Sequence, residues 1–274
     1  MSEQVGFRLW AASDPDQVAL VTADDSRITY GELFAEVNRI SHGLRENCGL
    51  VEGDTVASVM TNSAAMVALY LAAMQSGVYL VTLNYHLTEP EIEYILADSG
   101  AAVVVASERC EATVMAAAGD GVKVFVDGPG SWGALPLSEL TARMPSTDPE
   151  QTPAGSLMMY TSGTTGKPKG APSCHRAVCQ ALTNFECSGA ASAMINPKAI
   201  NAMMEKGFEP SQLLTVPLFH VSGLHAVFLS ALKAGRKIVM MYKWDAKQAL
   251  KYVEQEKITV MSAAPAMVLE LLEH

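Results

Sequence analysis

The chain has 274 residues, of which 49% are hydrophobic, so it can bury a sizeable core and is neither disordered nor fibrous. Its formal net charge of -10 and its lack of a Lys/Arg cluster argue against nucleic-acid binding, because phosphates attract basic patches. Five cysteines without CxxC spacing, and an N-terminus that is polar and acidic instead of basic and then apolar, predict a reducing, cytoplasmic location.

Apolar, β-branched runs alternate with helical periodicity along most of the chain. This alternation predicts an α/β fold in which helices flank largely parallel sheets. The predicted strands are residues 18–22, 55–59, 78–83, 101–106, 122–127, 156–160, 212–216, 237–241 and 259–262. The predicted helices are residues 29–45, a segment that begins after Asn62 or Ser63, residues 89–97, and segments that begin near residues 175, 222, 245 and 265.

One apolar stretch resembles a membrane span, because no charged residue lies between Asp54 and His86. A helix stop at residues 75–77, followed by the β-favouring run VYLVTL, predicts instead a buried helix that leads into a buried strand. The segments LAAMQSGVYLVTL and LSALKAGRKIVMM share this order of helix, glycine and strand. The shared order indicates two related α/β lobes.

The Pro-, Ser- and Thr-rich segment PSTDPEQTPAG, residues 145–155, is typical of an exposed connection. It predicts a first α/β lobe at residues 1–150 and a second at residues 151–274, with the two lobes interleaved. The C-terminal residues fall inside an amphipathic helix, and we therefore expect a C-terminal portion to be missing from this chain.

The most informative segment is LMMYTSGTTGKPKG, residues 157–170, where an apolar strand leads directly into glycines, hydroxyls and lysines. Glycines let backbone N–H groups approach an anion closely, hydroxyls donate hydrogen bonds, and lysines offset phosphate charge. These residue types predict a polyphosphate-binding loop. It is not a Walker loop, because GTTGK has two residues between its glycines instead of four and a proline follows the lysine.

The motif YTSGTTGKPKG resembles the signature of the adenylate-forming superfamily, which includes acyl-CoA synthetases, luciferases and peptide-synthetase adenylation domains. Three further segments are similar to that family in the same order: ITYGEL at residues 28–33, GVYLVTLNYHLTEPE at residues 77–91 and PLFHVSG at residues 217–223. The resemblance covers residues 10–274. It implies the N-terminal domain of an acyl-CoA synthetase of the fatty-acid ligase type.

The resemblance also assigns roles to individual residues. The residues implied to bind the ATP phosphates are Thr161, Ser162, Gly163, Thr164, Thr165, Gly166, Lys167 and Lys169. The residues implied to line the pocket for the carboxylic-acid substrate are His220, Val221, Ser222, Gly223 and Leu224. ATP, Mg²⁺ and CoA are the implied cofactors and co-substrates, and the Mg²⁺ ligands are unknown.

The chain departs from the family in what it lacks. Family members are roughly twice as long, and we find no YGxTE-like segment, no TGD-type Asp for the ribose and no C-terminal lid lysine. No catalytic set is therefore complete, and we expect the chain alone to bind ATP weakly and not to turn over. Two alternatives stay open, namely a non-catalytic binding module or half of a split enzyme, and an aryl-acid or amino-acid adenylating domain.

Other motifs carry weaker signals. GPGSWG, residues 128–133, fits GxGxxG, but Pro129 lies inside it and no helix opens after it, so it predicts a surface turn. His220 with His225, and Cys174 with His175, do not assemble three ligands at zinc spacings. The serines lack a GxSxG elbow.

Overall fold

The computed structural model describes residues 6–150, 153–161 and 167–274. The strands are β1 (Val18–Val21), β2 (Arg27–Thr29), β3 (Thr55–Val59), β4 (Tyr79–Thr82), β5 (Ala101–Ala106), β6 (Lys123–Val126), β7 (Leu135–Pro136), β8 (Ser156–Thr161), β9 (Lys169–Ser173), β10 (Ser211–Leu214), β11 (Lys237–Met240) and β12 (Val260–Met261). The helices are α1 (Phe7–Ser13), α2 (Tyr30–Glu46), α3 (Ala64–Ser76), α4 (Glu89–Ser99), α5 (Glu111–Ala117), α6 (Leu137–Thr141), α7 (His175–Ile195), α8 (Pro197–Glu205), α9 (Ser230–Lys233), α10 (Ala246–Gln255) and α11 (Pro265–Leu272). A 3₁₀ turn, Glu108–Cys110, precedes α5, and a π-helix, Ser222–Leu229, precedes α9.

The chain forms two compact units that alternate along the sequence. Unit 1 contains residues 1–33, 62–64 and 178–274, and unit 2 contains residues 34–61 and 65–177. These units divide the chain at other positions than the predicted boundary after residue 150, which stays a prediction.

Unit 1 is built on a five-stranded sheet with the order β12-β10-β11-β1-β2. Its strand pairs are parallel except β1 with β2, which is antiparallel. On one face, Leu213 and Val239 are fully buried with Ala249 and Tyr252 of α10. That face therefore forms a core between the sheet and α10.

Unit 2 is built on a seven-stranded sheet with the order β7-β6-β5-β3-β4-β8-β9. Its pairs are parallel except β8 with β9 at one edge. The central strands are almost entirely buried, as expected for parallel strands covered on both faces. The predicted α/β class with largely parallel sheets and flanking helices is confirmed.

The apolar stretch after Asp54 forms the helix and strand that the sequence predicts. Helix α3 is buried along most of its length, and β4 follows it after Gly77, which has a φ of 78°. The second copy of this pattern places Gly235, with a φ of 67°, before β11. Among the described residues, no helix is long and apolar enough to cross a membrane.

At two helix starts, a Thr and a Glu three residues later cap the helix. In ITYGEL, the Glu32 carboxylate accepts from the Thr29 N–H and the Thr29 hydroxyl accepts from the Glu32 N–H. At α4, Thr88 and Glu91 form the same reciprocal capping box. Each box satisfies backbone donors that the first turn of a helix leaves without partners.

Candidate functional site

The predicted phosphate loop connects β8 to the edge strand β9, which pairs with it antiparallel in unit 2. β8 ends at Thr161, β9 begins at Lys169, and these two residues are directly paired in the ladder. Thr161, Lys167 and Lys169 are exposed. The predicted residues Ser162, Gly163, Thr164, Thr165 and Gly166 lie outside the described residues. The described ends of the loop thus present a hydroxyl and two ammonium groups to solvent.

The loop starts at the carboxyl edge of a parallel sheet. β8 runs parallel to β4, with Met159 paired to Thr82, so both strands end at the same edge. β4 lies on one side of β3 and β5 on the other, so the chain direction across the sheet reverses at β3. Ligands of open α/β sheets bind outside the carboxyl ends of the strands, and β8 ends at that edge two strands from the reversal. This position favours a ligand site at the loop.

Helix α4 holds the strand on each side of the loop. The Tyr94 hydroxyl donates to the Pro168 carbonyl oxygen at 3.0 Å, and the Lys167 Nζ lies 4.9 Å from the centre of the Tyr94 ring. The Tyr160 hydroxyl donates to Asp98 Oδ2 at 2.6 Å. Burial, together with this hydrogen bond, raises the pKa of the Tyr160 hydroxyl. The entry and the exit of the loop are therefore fixed to one rigid element.

Gly170 serves packing in the hairpin. It is paired with Tyr160, and a Cβ atom at this position would lie 2.9 Å from Met158 Sδ and 3.2 Å from the Tyr160 ring. A side chain would have to displace both neighbours. The structure thus gives Gly170 a packing reason, and the interpretation of this glycine as a position for close approach to an anion stays a prediction.

The predicted acyl-pocket segment follows β10 in unit 1. His220, Val221 and Ser222 are exposed, with Val221 53% exposed, whereas Gly223 and Leu224 are buried beneath them. The backbone turns here through the His220 N–H to the Pro217 carbonyl and the Leu224 N–H to the His220 carbonyl. The structure thus brings the three exposed residues together at the start of the π-helix.

Gly223 is required by a close backbone approach. A Cβ atom on this residue would lie 2.2 Å from the Pro217 carbonyl oxygen and 2.9 Å from its carbon. Backbone atoms cannot move aside as a flexible side chain can. Gly223 therefore lets the π-helix begin directly against the strand exit, which places His220 and Ser222 at the surface.

Asn62 positions the same segment, a role that the sequence reasoning missed. Its side-chain amide donates to the Val216 carbonyl at 3.2 Å, and its side-chain oxygen accepts from the Leu218 N–H at 2.8 Å. Asn62 was expected only as an N-cap of the following helix, which does begin at Ala64. The pairing joins residues more than 150 positions apart, so no local pattern could reveal it.

His220 and His225 have different environments. His220 is exposed and its ring packs at a tilt of 45° against Phe219 with centroids 4.4 Å apart, whereas His225 is only 6% exposed. Burial lowers the pKa of His225, and its Nε2 atom has no hydrogen-bond partner among the described residues. In the part of the chain that the structure describes, no three His, Cys, Asp or Glu residues group as metal ligands.

The GPGSWG segment forms a turn in which two backbone donors bind a carboxylate of the same protein. The buried Glu111 carboxylate accepts from the N–H groups of Ser131, Trp132 and Ala134 at 2.9, 2.7 and 3.3 Å. These bonds, that of Ser131 foremost, hold the pKa of Glu111 below its usual value. The turn predicted at this segment is confirmed, and the Ser131 and Trp132 amides within it are bonded to Glu111.

Comparison with known proteins gives a consistent set of similarities. The model of the family described as AMP-binding enzyme matches residues 7–274. The feruloyl-CoA synthase of an Amycolatopsis species is 32% identical over 90% of this chain and 45% of its own length. The long-chain-fatty-acid–CoA ligase FadD13 of Mycobacterium tuberculosis is 29% identical over 92% of this chain and 47% of its own.

Solved structures agree with these relatives. The inhibitor-bound N-terminal domain of FACL13 from Mycobacterium tuberculosis superposes with a TM-score of 0.79 at 27% identity, covering 99% of this chain and 66% of that one. The chain spans about half the length of the curated relatives it matches.

Proposed function

The chain belongs to the AMP-binding enzyme family, and we propose that it supplies the ATP-phosphate site and the acid site of an acyl-CoA synthetase. In this reaction a carboxylate oxygen bonds to the α-phosphorus of ATP and pyrophosphate leaves. The thiol of CoA then bonds to the acyl carbon, and AMP leaves. The proposal includes a C-terminal portion that completes catalysis and a cytoplasmic location.

The observation that carries the proposal is the placement of the loop ends. Thr161 and Lys169 close a hairpin at the carboxyl edge of a parallel sheet, and Lys167 lies beside them. Hydroxyl and ammonium donors fit the charge and the acceptor oxygens of a polyphosphate. Because α4 fixes both ends of the loop, these donors would be held in position before ATP binds, and such preorganisation stabilises developing charge.

The remaining roles follow the predicted residues. Thr161–Gly166 with Lys167 and Lys169 would bind the β- and γ-phosphates, and His220–Leu224 would border the substrate acid. Mg²⁺, when bound with ATP, would neutralise phosphate charge. The described residues show no cluster of ligands for the ion, and the proposal assigns it none in this chain.

Thermal stabilisation by ATP tests the phosphate site. We expect millimolar Mg²⁺–ATP to raise the melting temperature of the chain, and Lys169→Gln to reduce that shift by at least about half, because charge-assisted bonds to phosphate contribute about 1.5 to 3 kcal/mol. Lys247→Gln is the matched control, since Lys247 is an exposed lysine on α10. An absent shift in the wild type, or equal shifts in the wild type and Lys169→Gln, would contradict the proposal.

One observation favours the alternative of a split enzyme that needs a partner chain. The last described helix, α11, exposes Leu269 by 62% and Leu272 by 79%. Exposed apolar side chains of this size are typical of surfaces that another segment covers. Reconstitution distinguishes the two cases, because half of a split enzyme gains acid-dependent pyrophosphate exchange from a separate C-terminal chain.

The acid class is a further part of the proposal. The matched relatives are named for both an aryl acid and long-chain fatty acids. A panel of aryl, fatty and amino acids in the exchange assay therefore separates the fatty-acid assignment from the aryl- or amino-acid alternative.

A further inference from the structure

Unit 1 contains a cavity of about 690 Å³ beside the face of its sheet that is opposite α10. The second half of α7 and the start of α8 form one wall, and strand residues form the other. The π-helix contributes Ala226, which lies about one helical turn beyond Ser222 of the predicted acyl segment. A volume in this range accommodates a small organic molecule.

The strand register explains which side chains face the cavity. Gln212 is paired with both Ile238 and Val260, so these three residues lie at one level of the sheet. Gln212 and Val260 line the cavity. Side chains two positions apart on a strand share a face. Accordingly Ser262, two positions after Val260, and Arg236, two positions before Ile238, also line the cavity. Arg236 therefore lies on the cavity face of the sheet.

Arg236 brings to this cavity a positive charge that no described carboxylate neutralises. Its guanidinium is half-buried and, among the residues that the structure describes, forms no ion pair and no side-chain hydrogen bond. The lining carboxylate, Glu186, already lies 2.6 Å from Lys233 Nζ. An arginine keeps its charge in proteins, and a partly buried charge without a partner is costly. The cavity consequently favours an anionic group next to Arg236.

Gln212 adds a second polar group to the same wall. It is buried, and in the described part of the chain its side chain makes a single long hydrogen bond, from Nε2 to the Leu213 carbonyl at 3.5 Å. A hydrogen bond of that length is weak, so the amide retains capacity for a ligand. A cavity for a plain fatty acyl chain would gain nothing from a buried amide and an unpaired guanidinium.

We propose that the acid activated by this protein carries a second carboxylate, which Arg236 binds at the end of the cavity remote from the reacting group. This inference rests on the proposed function, because it takes the segment around His220 as the position of the reacting carboxylate. That segment follows the carboxyl end of β10, whereas Arg236 precedes the amino end of β11. In parallel strands these positions lie at opposite edges of the sheet.

The register also sets the length of the acid. Ser262 and Arg236 are separated by four residue levels, two on each side of the level of Gln212, which corresponds to about 13 Å at roughly 3.3 Å per residue. A C–C bond of about 1.5 Å advances an extended chain by about 1.25 Å, so ten carbon atoms span about 11 Å and their terminal carboxylate oxygens extend this to about 13 Å. A ten-carbon α,ω-dicarboxylate is therefore the probe that fits.

Calorimetric titration of the chain with three ten-carbon acids tests the inference. Decanedioate, 10-hydroxydecanoate and decanoate differ only in the remote group, which is anionic, polar or apolar. We expect decanedioate to bind about tenfold or more tightly than the other two, because only its remote group can form a charge-assisted pair with the guanidinium. Arg236→Gln should remove this preference, and Lys251→Gln, an exposed lysine on α10, should keep it.

The outcomes separate this inference from the proposed function. Equal binding of the three acids by the wild type, with the Lys169-dependent response to ATP intact, overturns the dicarboxylate inference alone. Loss of the ATP response with the preference for decanedioate retained overturns the ligase proposal alone. The ranking of acids on the wild type decides the inference even if Arg236→Gln does not fold, and a preference that persists in folded Arg236→Gln also overturns it.

Discussion

At the scale of single residues, the backbone at Pro217 leaves no room for a side chain at Gly223. Gly223→Ala would place a Cβ atom 2.2 Å from the Pro217 carbonyl oxygen, so the π-helix start or the strand exit must shift. We expect a loss of about 1 to 3 kcal/mol in the free energy of unfolding, the usual cost of forcing an extra methyl into a packed site. Urea denaturation measures the change.

Gly189→Ala is the matched control for this substitution. Gly189 lies in α7 without a positive φ, and an added Cβ would meet nothing within 4 Å. Alanine in a helix is favoured over glycine by about 0.5 to 1 kcal/mol, so this variant should be as stable as the wild type or slightly more so. Equal effects of the two substitutions would show that the Pro217 contact is not restrictive.

The site residues illustrate what sequence reasoning can reach at this scale. Residue types between Thr161 and Lys169 predict phosphate chemistry because each donor acts on the ligand directly. The roles of Asn62 and Gly223 depend on partners brought together by the fold, so their spacing in the sequence carries no signal. Arg236 was missed for the same reason, because a basic residue next to a strand is usually solvated.

At the scale of elements, α4 is the support of the phosphate loop, and its effect can be separated from global stability. Tyr94→Phe removes the hydroxyl that donates to Pro168 but keeps the ring next to Lys167. Tyr94→Leu removes both contacts. One such hydrogen bond contributes about 0.5 to 1.5 kcal/mol, and the cation–π contact about 0.5 to 1 kcal/mol.

We therefore expect amide hydrogen exchange in β9 to accelerate by up to about tenfold in Tyr94→Phe, and further in Tyr94→Leu. Strands of unit 1 should exchange as in the wild type. Tyr252→Phe, a substitution of a buried tyrosine on α10, is the control for the loss of a hydroxyl elsewhere. Unchanged exchange in β9 of Tyr94→Leu would mean that α4 does not hold the loop.

Sequence patterns predicted the buried strands of the sheets and missed strands that are short or exposed. Every predicted strand appears within a few residues of its expected bounds, because apolar β-branched runs mark buried parallel strands. β9, with the sequence KGAPS, is an exposed edge strand with no apolar pattern, and β2 has three residues. β9 and β2 are strands because they pair with the neighbouring strands β8 and β1, and the local sequence does not encode this pairing.

Helix α8 and the π-helix show a second limit. The segment after Gly189 continues α7 to Ile195, and α8 then begins at Pro197, a position that suits proline because the first turn needs no N–H donor there. A helix was predicted from Ser222, but its π geometry was not. The π-helix includes Gly223, whose close approach to the Pro217 carbonyl is a tertiary contact that helical propensity does not encode.

At the scale of the whole molecule, the shifted carboxyl and histidine groups all reduce stability in acid. The pKa values of Asp24, Glu91, Glu111 and Glu256 are lowered in the folded chain. Such groups contribute stability above their unfolded pKa, near 4, and lose it as the pH falls through the folded pKa. Burial also lowers the pKa of His225 in the folded chain. Below about pH 6.5 this histidine is protonated more readily in the unfolded chain, so it too makes the folded chain less stable as the pH falls.

The tyrosine and cysteine groups reduce stability in alkali. Burial raises the pKa of Tyr30, Cys48 and Cys110, and that of Tyr160 is raised as well. A group whose pKa is higher in the folded chain than in the unfolded chain does not affect stability while it is protonated in both. Once the pH rises above the unfolded pKa, the unfolded chain loses the proton first and the folded chain becomes less stable. For thiols and phenols this decline begins at about pH 8.5 to 10. The chain should therefore be most stable between about pH 6.5 and 8.5.

Glu111 provides the sharpest test of the acid side. Its carboxylate accepts hydrogen bonds from three backbone N–H groups. In Glu111→Gln the side-chain NH₂ group would replace one acceptor oxygen and face a backbone N–H, which is also a donor. Glu111→Gln should lower the urea midpoint at pH 7, and the gap to the wild type should narrow only as the pH falls below about 4, through the lowered folded pKa of Glu111. Glu52→Gln, at an exposed turn, should follow the wild type at every pH. A gap that stays constant with pH would mean that the ionised Glu111 carboxylate does not stabilise the turn.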